Sequence, residues 1–318
     1  MRPLVTVGIP TYQRPEGLRR TLRCMVEQTY EHLEIIVSDN CSAGDATATV
    51  AREFAASDTR VRYVRQPFNA GLVENCKFLL REATGEYFMW AADDDWWSLT
   101  FIERWVSELI SLGRSYVAVG MEAQYSIGDE DMEFFAEGRA FYSGPIGDPA
   151  RRVDQMLRNG YGDLFYSLFR REVLMEGART ALDFMQPHGN ELPMLVEVAA
   201  RRNWRILPSV GLHQQTNTAT YLQARWEFCG GWLQSSWPGR LARLPQLLRY
   251  HRAVGQDIEK ALLRIGFNQT AERRLRGLTR RTLGRHLVSL MLGYKPAAAG
   301  PTGPARSEAE SRSAGTVE

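Results

Sequence analysis

The chain has 318 residues, 44% hydrophobic and 24% charged, an ordinary soluble globular composition with room for one large domain and an appendage. Its net charge of only +2 excludes a uniformly basic polyelectrolyte, but the charge is unevenly spread. Over residues 239–295, eleven Arg and two Lys face only Asp257, Glu259 and Glu272, a balance of +10.

Four cysteines (Cys24, Cys41, Cys76, Cys229) lack CxxC spacing. That argues against structural zinc and for free thiols in a reducing cytoplasm. Residues 4–10 are too short and too strand-like for a signal peptide. No stretch reaches the roughly 20 apolar residues needed to span a bilayer.

In chain order, residues 4–10 read as a buried strand. Leu18, Leu22, Met25 and Val26 recur at i, i+4, i+7 and i+8, one face of a helix. A strand over 33–39 follows, then a helix introduced by Asp45 and running through Val50 and Phe54. Further elements are a strand over 61–65, a helix over 72–82 closed by Thr84-Gly85, a strand over 87–91, a helix over 99–112 and a strand over 116–121. Repeated β-α units of this length predict a Rossmann-like, mainly parallel sheet flanked by helices.

Beyond residue 121 the pattern loosens. Residues 122–147 read as loops or a small hairpin, 148–159 as a helix, 164–169 as a strand and 191–201 as a helix introduced by Gly189-Asn190. Basic helices follow residue 239, and 296–318, rich in Ala, Gly, Pro, Ser and Glu, reads as a disordered tail. The expected organisation is 1–121 as one half of the main domain, 122–238 as its other half, 239–295 as a basic helical segment and 296–318 as the tail.

In open α/β sheets, ligands sit beyond the carboxyl ends of the strands. Pro10-Thr11-Tyr12 follows the first strand, Asp39-Asn40 closes the second, and Asp93-Asp94-Asp95 follows the fourth. Three consecutive carboxylates repel one another unless solvent or a cation absorbs the charge. A divalent cation bound to a diphosphate would do so, since hard oxygen ligands suit Mg²⁺ or Mn²⁺. A solvated acidic turn is the plainer alternative. An EF-hand lacks its required Gly and closing Glu, and an aspartate nucleophile is missing after the first strand.

The ordered landmarks then become specific. Val7-Gly8-Ile9-Pro10-Thr11-Tyr12-Gln13-Arg14, Gln28-Thr29-Tyr30, Glu34 to Ser42, Asn69-Ala70-Gly71, Asn75, Ala83-Thr84-Gly85-Glu86-Tyr87 and Asp93-Asp94-Asp95 follow one another over residues 4–112. In order and spacing this series resembles family 2 glycosyltransferases. The resemblance implies a GT-A fold and an inverting enzyme that moves a sugar from a nucleoside diphosphate donor, UDP or dTDP preferred, to a hydroxyl acceptor.

It also implies roles. Tyr12 flanks the base, and Asp39 accepts its imide N–H. Pro10, Arg14, Asn69, Gly71 and Asn75 shape the donor site, with Arg14 directed at the pyrophosphate. Asp93 and Asp94 bind donor, and Asp95 holds a divalent metal, Mg²⁺ or Mn²⁺. Relatives often carry an arginine before the asparagine at position 75, where this chain has Glu74. Glu191, at the start of a late helix, is the expected base for the acceptor hydroxyl; His188, Asp183 and Glu197 are rivals. His213 is read as structural, with contact to a metal or diphosphate as the alternative.

The basic segment 239–295 is read in three ways: peripheral contact with an anionic membrane face, which would bring the site to a lipid-linked acceptor; contact with an acidic soluble acceptor or a second subunit, giving a homo-oligomer; or solvated helices. No recognition module for nucleic acid accompanies the charge. The expected place of action is cytoplasmic, at the inner face of the membrane where lipid-linked acceptors apply. A non-catalytic nucleotide-sugar binder and a nucleotidyltransferase are the alternative functions. The second would be expected to open on a Gly-rich phosphate loop, which Pro10-Thr11-Tyr12-Gln13 is not.

Overall fold

A computed structural model describes residues 2–93, 95–121, 124–127, 147–159, 162–178, 191–207, 212–216 and 237–292. Strands numbered along the chain are β1 (Val5–Thr11), β2 (Leu33–Asp39), β3 (Val61–Arg65), β4 (Tyr87–Trp90), β5 (Trp96–Trp97), β6 (Tyr116–Met121), β7 (Gln124–Ile127), β8 (Leu168–Arg170), β9 (Asn203–Leu207) and β10 (Leu212–Thr216). Seven of them form one sheet in the order β3-β2-β1-β4-β8-β6-β9, and the other three form a small sheet, β5-β10-β7. Strands β3, β2, β1 and β4 run parallel. β8 runs antiparallel to both of its neighbours, β4 and β6, while β9 is parallel to β6.

Side chains alternate across the pleat, so each strand feeds two cores. Ile35 and Val37 join one apolar cluster and Ile36 the other; Tyr87 and Met89 divide from Phe88 and Trp90 in the same way. The first cluster is covered by α1 (Pro15–Val26), α2 (Ala46–Ser57) and α4 (Phe101–Leu112), through Leu18, Leu22, Met25, Val50, Phe101 and Leu109. The second is covered by α3 (Leu72–Glu82), α5 (Pro149–Asn159), α6 (Arg171–Ala178) and α7 (Leu192–Arg201). Two long helices, Trp237–Ile265 and Gln269–Leu292, pack on that same side through Val254, Ile258, Leu262, Leu275 and Leu278. Between them Gly266 adopts φ +74°, the left-handed conformation that commonly ends a helix.

Two buried arginines tie down helix ends, one from a helix and one from the sheet. Arg152 donates to the carbonyls of Ala199 and Ala200 at the end of α7. Arg170 donates to Tyr116, Leu109 and Gly113, fixing the turn between α4 and β6. The planar guanidinium supplies several donors at once to carbonyls that helix ends leave unpaired.

The expected elements of the first 121 residues are present, with β5 as an addition. Asp45 precedes α2 as its N-cap residue, but its side chain makes no capping hydrogen bond. One expectation is corrected. Residues 164–169 are not a continuous strand: a 3₁₀ helix, Gly162–Tyr166, comes first, and only Leu168–Arg170 pair into the sheet. In residues 122–147 only β7 and 147 fall among the described residues, and 296–318 lies outside them.

The Thr84-Gly85 landmark has a packing explanation. A Cβ on Gly85 would sit 2.7 Å from the backbone nitrogen of Thr6 and 2.8 Å from the carbonyl of Leu4. Gly85 N–H donates to Thr6 Oγ1, which itself donates to Glu34 Oε2. Gly85→Ala should therefore destabilise the fold by about 1–3 kcal/mol, the usual cost of overpacking. Chemical denaturation measures this; an unchanged midpoint would mean that the β1 to β4 approach is looser than described.

Candidate active site

The parallel strands end at one edge of the sheet, and their loops are tied to one another there. Asn40 N–H donates to the carbonyl of Thr11, joining the ends of β2 and β1. Asn40 also donates through Nδ2 to Asn69 Oδ1 at 2.8 Å and accepts from Ala70 N–H at 3.0 Å. Asn69 Oδ1 takes the Gly71 N–H as well, so Asn69 organises the loop that enters α3 rather than capping the helix itself. Gly71 is the N-cap residue at φ +85°, and no protein atom lies within 4 Å of where a Cβ would sit. The backbone turn requires glycine here, not crowding by protein. Two non-glycine residues with positive φ, Gln13 and Cys41, stand in the same loops, where strain is commonly tolerated for function.

The acidic loop after β4 is anchored to these loops. Thr11 Oγ1 donates to Asp93 Oδ2 at 2.8 Å, and Arg14 Nη1 lies 3.3 Å from Asp93 Oδ1. Behind them, the Thr21 hydroxyl lies 2.9 Å from the carbonyls of both Ala92 and Asp95. Gln28 donates through Nε2 to the carbonyls of Cys24 and Ser98 and accepts the Ile102 N–H, pinning the far end of the loop to α1. Thr21 and Gln28 are buried, so their polar groups are satisfied by the loop they hold.

Around this anchor opens a cavity of about 650 Å³, lined by Pro10, Thr11, Tyr12, Arg14, Asn40, Asn69, Gly71, Leu72, Asn75, Cys76, Trp90, Ala92, Asp93, Phe165, Tyr166 and Glu191. Eight residues expected at the site therefore share one cavity: Pro10, Tyr12, Arg14, Asn69, Gly71, Asn75, Asp93 and Glu191. Three do not. Asp39 is buried below it, its carboxylate accepting from Ser42 N–H at 2.8 Å and from the Tyr63 hydroxyl at 2.9 Å. Burial, then the bond to Asp39, pushes the Tyr63 hydroxyl up to about 12, so it remains a donor across the neutral range. Asp95 is buried beside the cavity rather than in its lining. Asp94 lies outside the described residues.

Other site residues differ from expectation in detail. Arg14 pairs with Asp93. Asn75 is buried, and its Nδ2 donates to the Ser38 carbonyl at 2.8 Å while its Oδ1 accepts from the Ser38 hydroxyl. It thus locks α3 to β2 as well as lining the cavity. Glu191 is the N-cap residue of α7, but its side chain does not cap the helix. The Cys76 thiol is pushed up to about 12, first by burial and then by the charge of Glu191, which places the two within electrostatic reach. Among the rivals, Asp183 and His188 lie outside the described residues, and Glu197 is buried within α7. His213 stands in β10, paired across to Trp96 and Gln124.

Thr11 and Asn40 entered the sequence reading only as parts of strand-end segments, and Thr21, Trp90, Phe165 and Tyr166 were not singled out as site residues. Thr21 alone left a signal, a polar residue on the buried face formed by Leu18, Leu22 and Met25. Asp93 and Asp95 are hard oxygen donors, and a cation such as Mg²⁺ takes one or two carboxylates and fills its other positions with phosphate oxygens and water. By donor chemistry alone Asp93 and Asp95 suit such an ion; among the described residues there is no cluster of three His, Cys, Asp or Glu.

Among characterised sequences, the chain is 28% identical over 138 residues to the glycosyltransferase GlyA of Streptococcus pneumoniae, covering 43% of this chain and 19% of that protein. It is 33% identical over 94 residues to the GalNAc(5)-diNAcBac-PP-undecaprenol beta-1,3-glucosyltransferase of Campylobacter jejuni, covering 29% and 30%. The chain thus spans less than half the length of these relatives.

Among solved structures, residues 1–349 of Staphylococcus aureus TarS in complex with UDP superpose with a TM-score of 0.52 at 12% identity, covering 92% of this chain and 91% of that one. The mannosyltransferase PcManGT of Pyrobaculum calidifontis, in complex with GDP-Man and Mn²⁺, gives 0.52 at 20%, covering 92% and 87%. The shared fold is GT-A. The profile of Glycosyl transferase family 2 matches residues 6–177, more than half of the chain, and this protein belongs to that family of glycosyltransferases.

Proposed function

We propose that this glycosyltransferase moves a sugar from a uridine or thymidine diphosphate carrier to a hydroxyl acceptor in one inverting displacement, with Glu191 as the base. The observation that carries the reading is the shared cavity: the loops of β1 to β3, the Asp93 carboxylate and Glu191 face one space of about 650 Å³. That volume suits a nucleotide sugar. Support comes also from the UDP held by the TarS structure and the Mn²⁺ in the PcManGT structure.

In this reading the Tyr12 ring, 42% exposed at the cavity mouth, flanks the base. Asp39 serves base recognition from beneath, where Tyr63 must share its carboxylate. Arg14 lies between Asp93 and the space for the diphosphate. Asp95, with Asp93, would hold Mg²⁺ or Mn²⁺, which when bound offsets the negative charge growing on the departing diphosphate. Glu191 takes the acceptor hydroxyl proton as that oxygen bonds to the anomeric carbon, and the anomeric carbon's bond to the β-phosphate oxygen breaks on the opposite face. The nucleoside diphosphate leaves with the bonding pair.

The basic helices suit contact with an anionic membrane face. On the helix Trp237–Ile265, Leu248, Arg249, Arg252, Lys260 and Leu263 are all exposed at helical spacing, a cationic stripe with a leucine near each end. Among the described residues no helix is long and apolar enough to cross a membrane. The undecaprenol-linked substrate named for the Campylobacter relative supports a lipid-linked acceptor.

Three tests follow. Asp95→Ala should abolish transfer and the stimulation of UDP binding by Mn²⁺, measured by radiolabelled sugar transfer and thermal shift; full metal-dependent turnover in the variant would show the acidic loop to be misassigned. Glu191→Gln should lower transfer by about 10²–10⁴-fold, the usual worth of a general base, with UDP affinity unchanged. Undiminished transfer would move the base elsewhere. Arg249→Ala/Arg252→Ala should cut partitioning onto phosphatidylglycerol vesicles at least tenfold at low salt, given ~1 kcal/mol per basic residue at an anionic surface. Equal sedimentation with neutral vesicles would remove the electrostatic argument.

A further inference from the structure

The cavity has two chemically different walls. The loops of β1, β2 and β3 supply polar groups and backbone, and Asp93 stands at the middle, after β4. Next in the sheet comes β8, which runs antiparallel to β4. Because of that reversal, the residues before β8, not after it, arrive at the edge where β4 ends. Those residues are Phe165 and Tyr166, from the 3₁₀ helix Gly162–Tyr166. Both line the cavity, as does Glu191.

The two rings are held in place. Phe165 stacks nearly parallel on Trp90, with centroids 4.6 Å apart and planes 12° apart, and Tyr166 meets Phe165 edge to face at 5.4 Å and 86°. Trp90 is itself fixed, its indole N–H donating to the Cys76 carbonyl at 3.2 Å and its ring meeting Phe88 at 4.7 Å and 82°. Trp90 is fully buried, whereas Phe165 and Tyr166 are half-buried, so these two are the surface of the wall and Trp90 its backing. A pre-set aromatic wall loses little conformational freedom when a ligand lands on it.

We infer that Phe165 and Tyr166 are the platform for the acceptor, and that the acceptor group is a pyranose ring rather than an open-chain alcohol. The inference rests on the donor reading given above. The negative face of an aromatic ring attracts the slightly positive C–H groups that one face of a pyranose presents together. A linear polyol has no such flat apolar face. A ring seated there lies in the same cavity as Glu191, where one of its hydroxyls can surrender a proton.

Saturation-transfer NMR tests this, with UDP and Mg²⁺ at saturation. The probes are methyl glycosides of glucose, galactose, mannose and N-acetylglucosamine, with sorbitol and glycerol as linear controls. On the wild-type protein at least one methyl pyranoside should receive saturation along one ring face, several-fold above sorbitol. Tyr166→Phe should keep that signal and Tyr166→Ala should lose at least fivefold of it, with UDP affinity unchanged in both. The platform is refuted if UDP binds and no pyranoside exceeds sorbitol, or if folded Tyr166→Ala keeps the wild-type signal. Should Tyr166→Ala not fold, the ring-face pattern on the wild type decides. Failure of the wild-type protein to bind UDP sinks the donor reading, and this inference with it.

Discussion

Everything at this site depends on holding a run of aspartates where they would not stay unaided. Carboxylates set side by side and taken partly out of water repel one another and lose hydration. The chain answers with anchors on both sides of the loop. Thr11 and Arg14 engage the Asp93 carboxylate from the cavity side, Thr21 approaches the backbone carbonyls of residues 92 and 95, and Gln28 pins the stretch from 98 to 102. All four anchors come from β1, α1 or the turns that flank α1. The first thirty residues are therefore the frame on which the acidic loop is mounted, which gives the Gln28-Thr29-Tyr30 landmark a physical meaning.

That arrangement also explains why Asp93 and Asp95 differ. Asp93 reaches the cavity with its charge met by one guanidinium, 38% exposed, and one hydroxyl. The arginine is open to solvent but the carboxylate is buried, so solvent screens the pair from one side only. Asp95 is drawn down by its backbone, whose carbonyl faces Thr21 inside the core. Neighbouring carboxylates of identical chemistry thus receive different surroundings from the elements beneath them.

The parallel half of the molecule was legible because its physics is local. Apolar runs with period 2 or 3.6 and turn residues at strand ends specify β1 to β4 and α1 to α4. The site residues on those strand ends follow from where such sheets bind ligands. What sequence did not disclose was long-range. Asp39 stands at the expected strand end, yet a tyrosine from the neighbouring strand covers its carboxylate. Nothing in residues 33–42 announces Tyr63. The reading of 164–169 as a strand failed because the apolar series Leu164-Phe165-Tyr166 also suits a tight 3₁₀ turn, and tertiary stacking on Trp90 decides between them. A strand there would have pointed Phe165 and Tyr166 to opposite faces of the sheet.

The reversal of β8 is the step from fold to chemistry. Had the sheet continued parallel past β4, each further strand would have delivered one more loop after a carboxyl end, largely polar like those of β1 to β3. An antiparallel neighbour delivers instead the segment that precedes it, and that segment must also close the core over Trp90. Apolar closure is a packing requirement there, so the wall facing the loops of β1 to β3 is apolar, and in this chain aromatic. A transferase needs such asymmetry. Under the proposed function, one wall would meet a charged diphosphate through backbone donors and a carboxylate-held cation, the other would receive the acceptor ring, and the reacting centre would lie between them. In this chain a single change of strand direction supplies both walls on either side of Asp93.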